Sequence, residues 1–261
     1  MKPSAPRRRG RPHRPDIRAR DALLATCWYH EVARALGADP DDEAQVARLC
    51  NALLPNHNQR RARAMASYRE GAHLPSVQRK GPGIVAILGR RLPSTLKLAE
   101  HALWVALNPD TVMDWATAHS LLSSLEATVT DDLKLAGAKG SCAYPLALAE
   151  RVRTSFPRLP DLAMDYVACY LILFRLGRTG GNPALWSCAL DNLAIAINGA
   201  ARSPQLGCLG KKLEAYVRDN FVPPEVGPRV QLPGWPFYCG GPIVRPGLNS
   251  PHNYPGWVVL T

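Results

Sequence analysis

The sequence predicts an all-α protein: a multi-helical bundle with a disordered basic arm before it and an extended, Pro/Gly/aromatic-rich segment after it. Three observations carry this. Apolar residues between positions 17 and 222 recur at three- and four-residue steps, the period of a helix with one buried face. No alternating apolar run, hairpin dipeptide pattern or βαβ rhythm appears before residue 222. Glycine and proline punctuate the periodic stretches. The boundaries read as an arm over 1–16, a helical body over 17–222 with a possible sub-boundary near 137–142, and a C-terminal segment over 223–261 packed on the body or on a partner. No internal repeat of 20–50 residues is visible.

The elements follow in chain order. Pro3, Pro6, Pro12 and Pro15 stand among arginines, so residues 1–16 have no apolar surface to bury and are expected to be disordered alone. A first helix opens near Asp16, carries Leu23, Leu24, Cys27, Trp28, Val32 and Ala35 on its apolar side, and ends before Gly37. A second spans about 41–54. Asp41, Asp42 and Glu43 complement its positive N-terminal end and Pro55 stops it. A third spans about 58–71.

Gly81, Pro82, Gly83, Gly89 and Pro93 break the next stretch into a short helix and turns. A helix over about 94–107 places Leu96, Ala99, Leu103, Trp104 and Leu107 on one side. Asn108-Pro109-Asp110 ends it, with Asp110 as a cap for a helix over about 111–126. Gly137 and Gly140 mark a loop. Helices near 143–155, 161–176, 184–198 and 206–221 complete the body. The 161–176 stretch is apolar almost all round, which predicts a central position in the bundle.

From Pro223 onward, nine prolines and six glycines fall in 39 residues, with Trp235, Phe237, Tyr238, Tyr254 and Trp257 among only three charges. That many aromatics argue for a docked segment, with Gly256–Leu260 pairing as a strand.

Charge is the outstanding compositional feature: 32 Lys+Arg against 21 Asp+Glu, a net +11. Seven of the basic residues are lysine and 25 arginine, whose flat fork suits phosphate and base edges. The same bias toward Arg, Ala, Pro and Gly also follows from nucleotide composition. Residues 1–20 alone carry +7, and the other 241 only +4. A basic tail on a nearly balanced body suggests an arm for a polyanion. No apolar run follows it, which argues against a secretory signal. The most apolar stretch, 162–174, is too short for a membrane span of roughly 20 residues. Seven cysteines, an odd number with no C-x-x-C pair, read as free thiols of a reducing compartment. The expected location is therefore cytoplasmic, nucleoid-associated if the arm binds DNA.

Arg7-Arg8-Arg9-Gly10-Arg11-Pro12-His13-Arg14-Pro15 is the most specific stretch. Gly10 has no Cβ, so its backbone can lie against a groove floor while Arg9 and Arg11 extend on either side. A narrow A·T minor groove offers enhanced negative potential and only acceptors, whereas guanine adds an amino group. Pro12 keeps the chain extended. Arg7, Arg8 and Arg14 reach phosphates. The core Arg9-Gly10-Arg11-Pro12 resembles the AT-hook, a short motif that binds the minor groove of A·T-rich DNA. The resemblance covers about nine residues and implies nothing about the fold of the rest. His13 stands where the motif often has another basic residue. A nonspecific polybasic tail is the plainer reading of the same residues.

On a helix over 58–71, Arg60, Arg63 and Ser67 share one face while Ala62, Met65 and Ala66 face a core. Two helices precede it, so an Arg-rich third helix of a helix-turn-helix and a solvated basic face both fit. Cys27, His30, Cys50 and His57 match no common zinc spacing. Pro109-Asp110 with Asp132-Leu133-Lys134 fits a loose nuclease pattern, but both halves lie in helical sequence, whereas such motifs stand on strands. No nucleophile elbow, phosphate loop or dinucleotide fingerprint is present. Gly207–Lys212 holds a Gly-Lys pair without the Ser or Thr that a phosphate loop places on magnesium.

The expectation is a non-enzymatic DNA-binding protein without cofactor or metal. Its arm, Arg7 to Arg14, lies in the minor groove, and the body, through Arg60 and Arg63, adds contacts or assembly. A role in transcription or in maintaining a replicon or mobile element fits. The alternatives are an assembly protein that docks a partner or a second copy through Trp235, Phe237, Tyr238 and Trp257, and a nucleic-acid enzyme of unrecognised type.

Overall fold

The computed structural model describes residues 15–54, 64–76, 78–79, 81–133, 144–155 and 160–222, and three two-residue strands at 230–231, 238–239 and 258–259. The described body is all-α, as its periodicity predicts.

Helix α1 (Pro15–Ala35) has proline at its first position, where a missing N–H costs nothing. Its apolar side, including Leu23, Cys27, Trp28 and Val32, is buried. Gly37 closes the end at φ +64°, with Ala38 N–H donating to Ala33 O at 2.9 Å. Helix α2 (Glu43–Leu53) starts at Asp42, whose carboxylate accepts from Gln45 N–H, while Gln45 Oε1 accepts from Asp39 N–H. Leu54 is extended, the conformation forced on a residue before proline.

Helix α3 (Met65–Arg69) folds back on both. Trp28 and Tyr68 meet edge to face at 5.5 Å, and Thr26 Oγ1 donates to Arg69 O. Gly71 is required where this corner closes. Its φ is +69°, and a Cβ there would stand 2.9 Å from Ala22.

Two-residue strands β1 (Gln78–Arg79) and β2 (Gly81–Pro82) pair antiparallel. The sequence shows no strand pattern here, and the pair leaves the all-α class unchanged. Two residues are too few to show an alternating pattern. Helix α4 (Ile84–Gly89) follows.

The helix expected over 94–107 is two helices, α5 (Pro93–Ala99) and α6 (Ala102–Ala106). His101 divides them because its imidazole accepts from Leu103 N–H at 3.1 Å and so caps α6. The next cap is also corrected: Asp114, not Asp110, accepts from Thr117 N–H and opens α7 (Trp115–Leu122). Asp110 is exposed in the turn, its N–H donating to Asn108 Oδ1. Helix α8 (Ala127–Thr130) and a 3-10 turn (Asp131–Leu133) follow, then α9 (Tyr144–Thr154).

Helix α10 (Ala163–Thr179) is the centre, buried along nearly its whole length from Ala163 to Gly177. It turns through Gly180-Gly181-Asn182 into α11 (Pro183–Ala200), capped by Asn182 Oδ1 on Leu185 N–H. The α9 end is held to α11 by Asn192 Nδ2, which donates to Ser155 O at 2.8 Å and to Val152 O. Helix α12 (Lys211–Phe221) begins later than the expected 206, because residues 201–210 form successive turns and Gly210 sits at φ +46°.

Arg175 on α10 closes the arrangement. Its side chain is buried, the residue only 8% exposed, and its guanidinium donates to Ala106 O, Asn108 O and Thr111 O while lying 4.9 Å from the Phe221 ring. Tyr216 on α12 donates to Leu107 O in the same turn.

In the C-terminal segment, β3 (Val230–Gln231) pairs antiparallel with both β4 (Tyr238–Cys239) and β5 (Val258–Val259). The strand expected within 256–260 is thus present at Val258–Val259.

Candidate nucleic-acid interface

Arg7, Arg8, Arg9, Gly10, Arg11, Pro12 and Arg14 lie outside the described residues, as do Arg60 and Arg63. Trp235, Phe237 and Trp257 lie outside them too, while Tyr238 is described as the backbone partner of Gln231. What the structure describes is how the basic segments attach to the body.

The motif runs directly into α1, whose first residue is Pro15. From Leu23 onward α1 is largely buried, so the helix that follows the arm is fixed in the core. Asp21 pairs with Arg20 at 2.6 Å on that helix. The segment holding Arg60 and Arg63 is anchored at both flanks, by buried Leu54 after α2 and buried Met65 at the start of α3.

Arg69, the next arginine along, is not available to a ligand in this arrangement. It forks to Asp41 at 2.6 Å and Glu43 at 2.8 Å, and the hydrogen bond it donates to Glu43 pushes its pKa up further. Its work is to tie α3 to the start of α2.

Other cations of the body stay exposed with no carboxylate within ion-pair distance among the described residues: Arg48, Arg90, Arg91, Arg202, Lys211 and Lys212. Sequence reasoning missed Arg48 and the Arg90-Arg91 pair. The dipeptide, set between Gly89 and Pro93 in a turn, was the available signal. Lys211 and Lys212 open α12, where the helix dipole already has its positive end and Gly210 supplies no side-chain cap.

The titratable clusters of the body are consumed in packing. His101 accepts through Nδ1, which leaves its Nε2–H for Asp165 Oδ1 at 3.4 Å. Asp165 also accepts from Glu126 N–H. Burial alone would raise the Asp165 pKa, but the His101 hydrogen bond and the Glu126 N–H outweigh it and bring it below the usual value. The imidazole has no free nitrogen for a substrate.

Of the four residues considered for a metal, Cys27 faces Cys208, His30 packs against Tyr29, and Cys50 is buried with its thiol pushed up to about 12 by that burial. His57 lies outside the described residues. No group of three or more His, Cys, Asp or Glu able to hold a metal ion occurs among the described residues. The nuclease-like string has Asp110 in a turn and Leu133 buried in the 3-10 turn, with Lys134 outside the described residues. No described helix is long and apolar enough to cross a membrane.

No protein-family model, curated protein or solved structure matches the chain.

Proposed function

We propose that this chain is a DNA-binding protein whose arm lies in the minor groove of A·T-rich duplex, with the helical body adding phosphate contacts or assembly. The observation that carries the reading is the arm itself. Arg9-Gly10-Arg11-Pro12 sits in a stretch that holds +7 of the chain's +11. Gly10 between two arginines supplies both groove access and charge, and A·T sequence supplies the narrow, strongly negative groove that suits them. The unpaired surface cations on the body are consistent with further, sequence-independent phosphate contacts.

The test is a mobility-shift titration of the intact chain on A·T-rich and G·C-rich duplexes of equal length. The A·T duplex is expected to bind more tightly. A chain lacking residues 1–15, which leaves α1 from Asp16 onward, is expected to lose that preference. Equal affinity of the intact chain for the two duplexes would reject the minor-groove reading and leave a polybasic tail.

A further inference from the structure

Helix α1 and the turns before α12 bring two cysteines together from positions 181 residues apart. Cys27 Sγ and Cys208 Sγ stand 3.8 Å apart, and both point at the same acceptor, Gln205 O, at 3.2 Å and 3.7 Å. The other cysteines whose side chains are described, Cys50, Cys169 and Cys188, have no thiol partner among the described residues. The two members of the pair differ in their access to solvent. Cys27 is 0% exposed in the middle of α1, whereas Cys208 is partly exposed in a turn.

We propose that Cys27 and Cys208 are a reversible redox pair that, when oxidised by a peroxide, forms a disulfide clamping α1 to the turn before α12. The bond needs sulfurs about 2.05 Å apart, so an approach of about 1.8 Å closes the gap, and Cys208 lies in a turn rather than in a helix.

The asymmetry assigns the order of events. Cys208 is the accessible thiol. The hydrogen bond with Cys27 outweighs the burial of Cys208 and, with its own backbone N–H and then the nearby Lys212 charge, brings its pKa down, while the same hydrogen bond and burial push Cys27 up. Thiolate is the reactive form, so Cys208 attacks first. Its sulfur displaces hydroxide from hydrogen peroxide and becomes a sulfenic acid. The Cys27 thiol then attacks that sulfur, an S–S bond forms, and the sulfenic oxygen leaves as water, taking the Cys27 proton. The hydroxide released in the first step takes a proton to become a second water. Two thiols are oxidised by two electrons, and one peroxide is reduced to two waters.

The clamp has a mechanical consequence. It closes a chain loop of 181 residues between the helix that carries the basic arm and the turn before α12. Long loops are the case in which a cross-link most restricts the unfolded chain.

The experiment uses the full-length chain. The folded, reduced protein is treated with equimolar hydrogen peroxide, its remaining thiols are alkylated after denaturation, and the unreduced digest is mapped by mass spectrometry. One intramolecular link, Cys27 to Cys208, is expected, lost on treatment with dithiothreitol. The oxidised chain is expected to unfold at a higher urea concentration than the reduced one. Brief alkylation of the reduced, folded protein is expected to mark Cys208 before Cys27, Cys50 or Cys169. Cys208 carried to sulfinic or sulfonic acid with Cys27 still alkylatable overturns the proposal. So does a link to another cysteine, or a chain that peroxide leaves fully reduced. The wild-type map decides the matter without a variant. Cys208→Ser, which should leave Cys27 alkylatable after peroxide, is an independent check. Neither result depends on whether the arm binds DNA.

Discussion

Asp191 stands on α11, partly buried, with no cation within ion-pair distance among the described residues. Burial pushes its carboxyl from the usual 3.8 up to about 7. The unfolded chain therefore gives up this proton near pH 4, and the folded chain only near pH 7. The neutral carboxyl contributes stability that is fully present below pH 4 and is lost as pH rises to 7. Asp191→Asn keeps the shape and removes the charge. The variant is expected to match the wild type near pH 4 and to exceed it by of order 2–4 kcal/mol at pH 8, read from urea midpoints across that range. A difference that does not change with pH would show that Asp191 is solvated in the folded chain. Arg175 shows the opposite kind of residue. The periodicity of its helix was legible, since Leu162–Phe174 is apolar almost throughout, but nothing in the sequence said that Arg175 would stay inside. It does so because backbone carbonyls at 106, 108 and 111, brought together only by the tertiary fold, replace water around its charge. A cation satisfied by backbone leaves no signature in residue types.

At the scale of elements, helix ends were legible where one residue type dictates the backbone. Gly37 and Pro55 are such cases, and the Gly180-Gly181-Asn182-Pro183 turn is another. Ends set by a side chain's hydrogen bond were not. His101 and Asp114 both became caps because of where the chain turned, and either stop could have been read one helix turn away. The same limit applies to the 58–71 stretch. Its described end, α3, is short and serves to pack Tyr68 on Trp28 and to tie Arg69 to Asp41 and Glu43, which leaves Arg60 and Arg63 as the residues that separate a DNA-contacting helix from a solvated one. Salt dependence of binding separates them. If about five arginines of the intact chain neutralise phosphates, the slope of log affinity against log salt is roughly −4 to −5. Arg60→Ala with Arg63→Ala is expected to reduce its magnitude by roughly one or two if that segment meets DNA. A slope unchanged by the pair, with Tm also unchanged, assigns it to the solvated face.

At the scale of the whole molecule, net charge is concentrated at the N-terminal end, and aromatic residues are densest, amid few charges, at the C-terminal end. The N-terminal twenty residues hold +7, and the C-terminal 39 hold five aromatics with only three charges. The chemistry proposed for the arm is local: nine consecutive residues carry it. The surface cations of the body were not legible as a set, since Arg48, Arg90 and Arg202 are far apart in sequence. The aromatic end makes a separate claim on stability. Removing one such side chain from water typically stabilises by ~1.5–3 kcal/mol, and five left exposed would make an adhesive surface. The antiparallel pairing of Val230–Gln231 with both Tyr238–Cys239 and Val258–Val259 brings these three short strands of the segment side by side. Truncation after Val222 preserves α12, its last hydrogen bond from Val222 N–H to Arg218 O, and the Phe221 ring against Arg175. Any loss of stability in that variant belongs to residues 223–261 alone. It is expected to melt several degrees lower than the intact chain, since each kcal/mol moves the Tm of a chain this size by roughly 2–4 °C, or to dissociate from an oligomer that the intact chain forms. Light scattering distinguishes the two. An unchanged Tm and an unchanged mass, together with rapid proteolysis of 223–261 from an otherwise intact body, would make the segment a free tail. Its aromatics would then serve a partner rather than this fold.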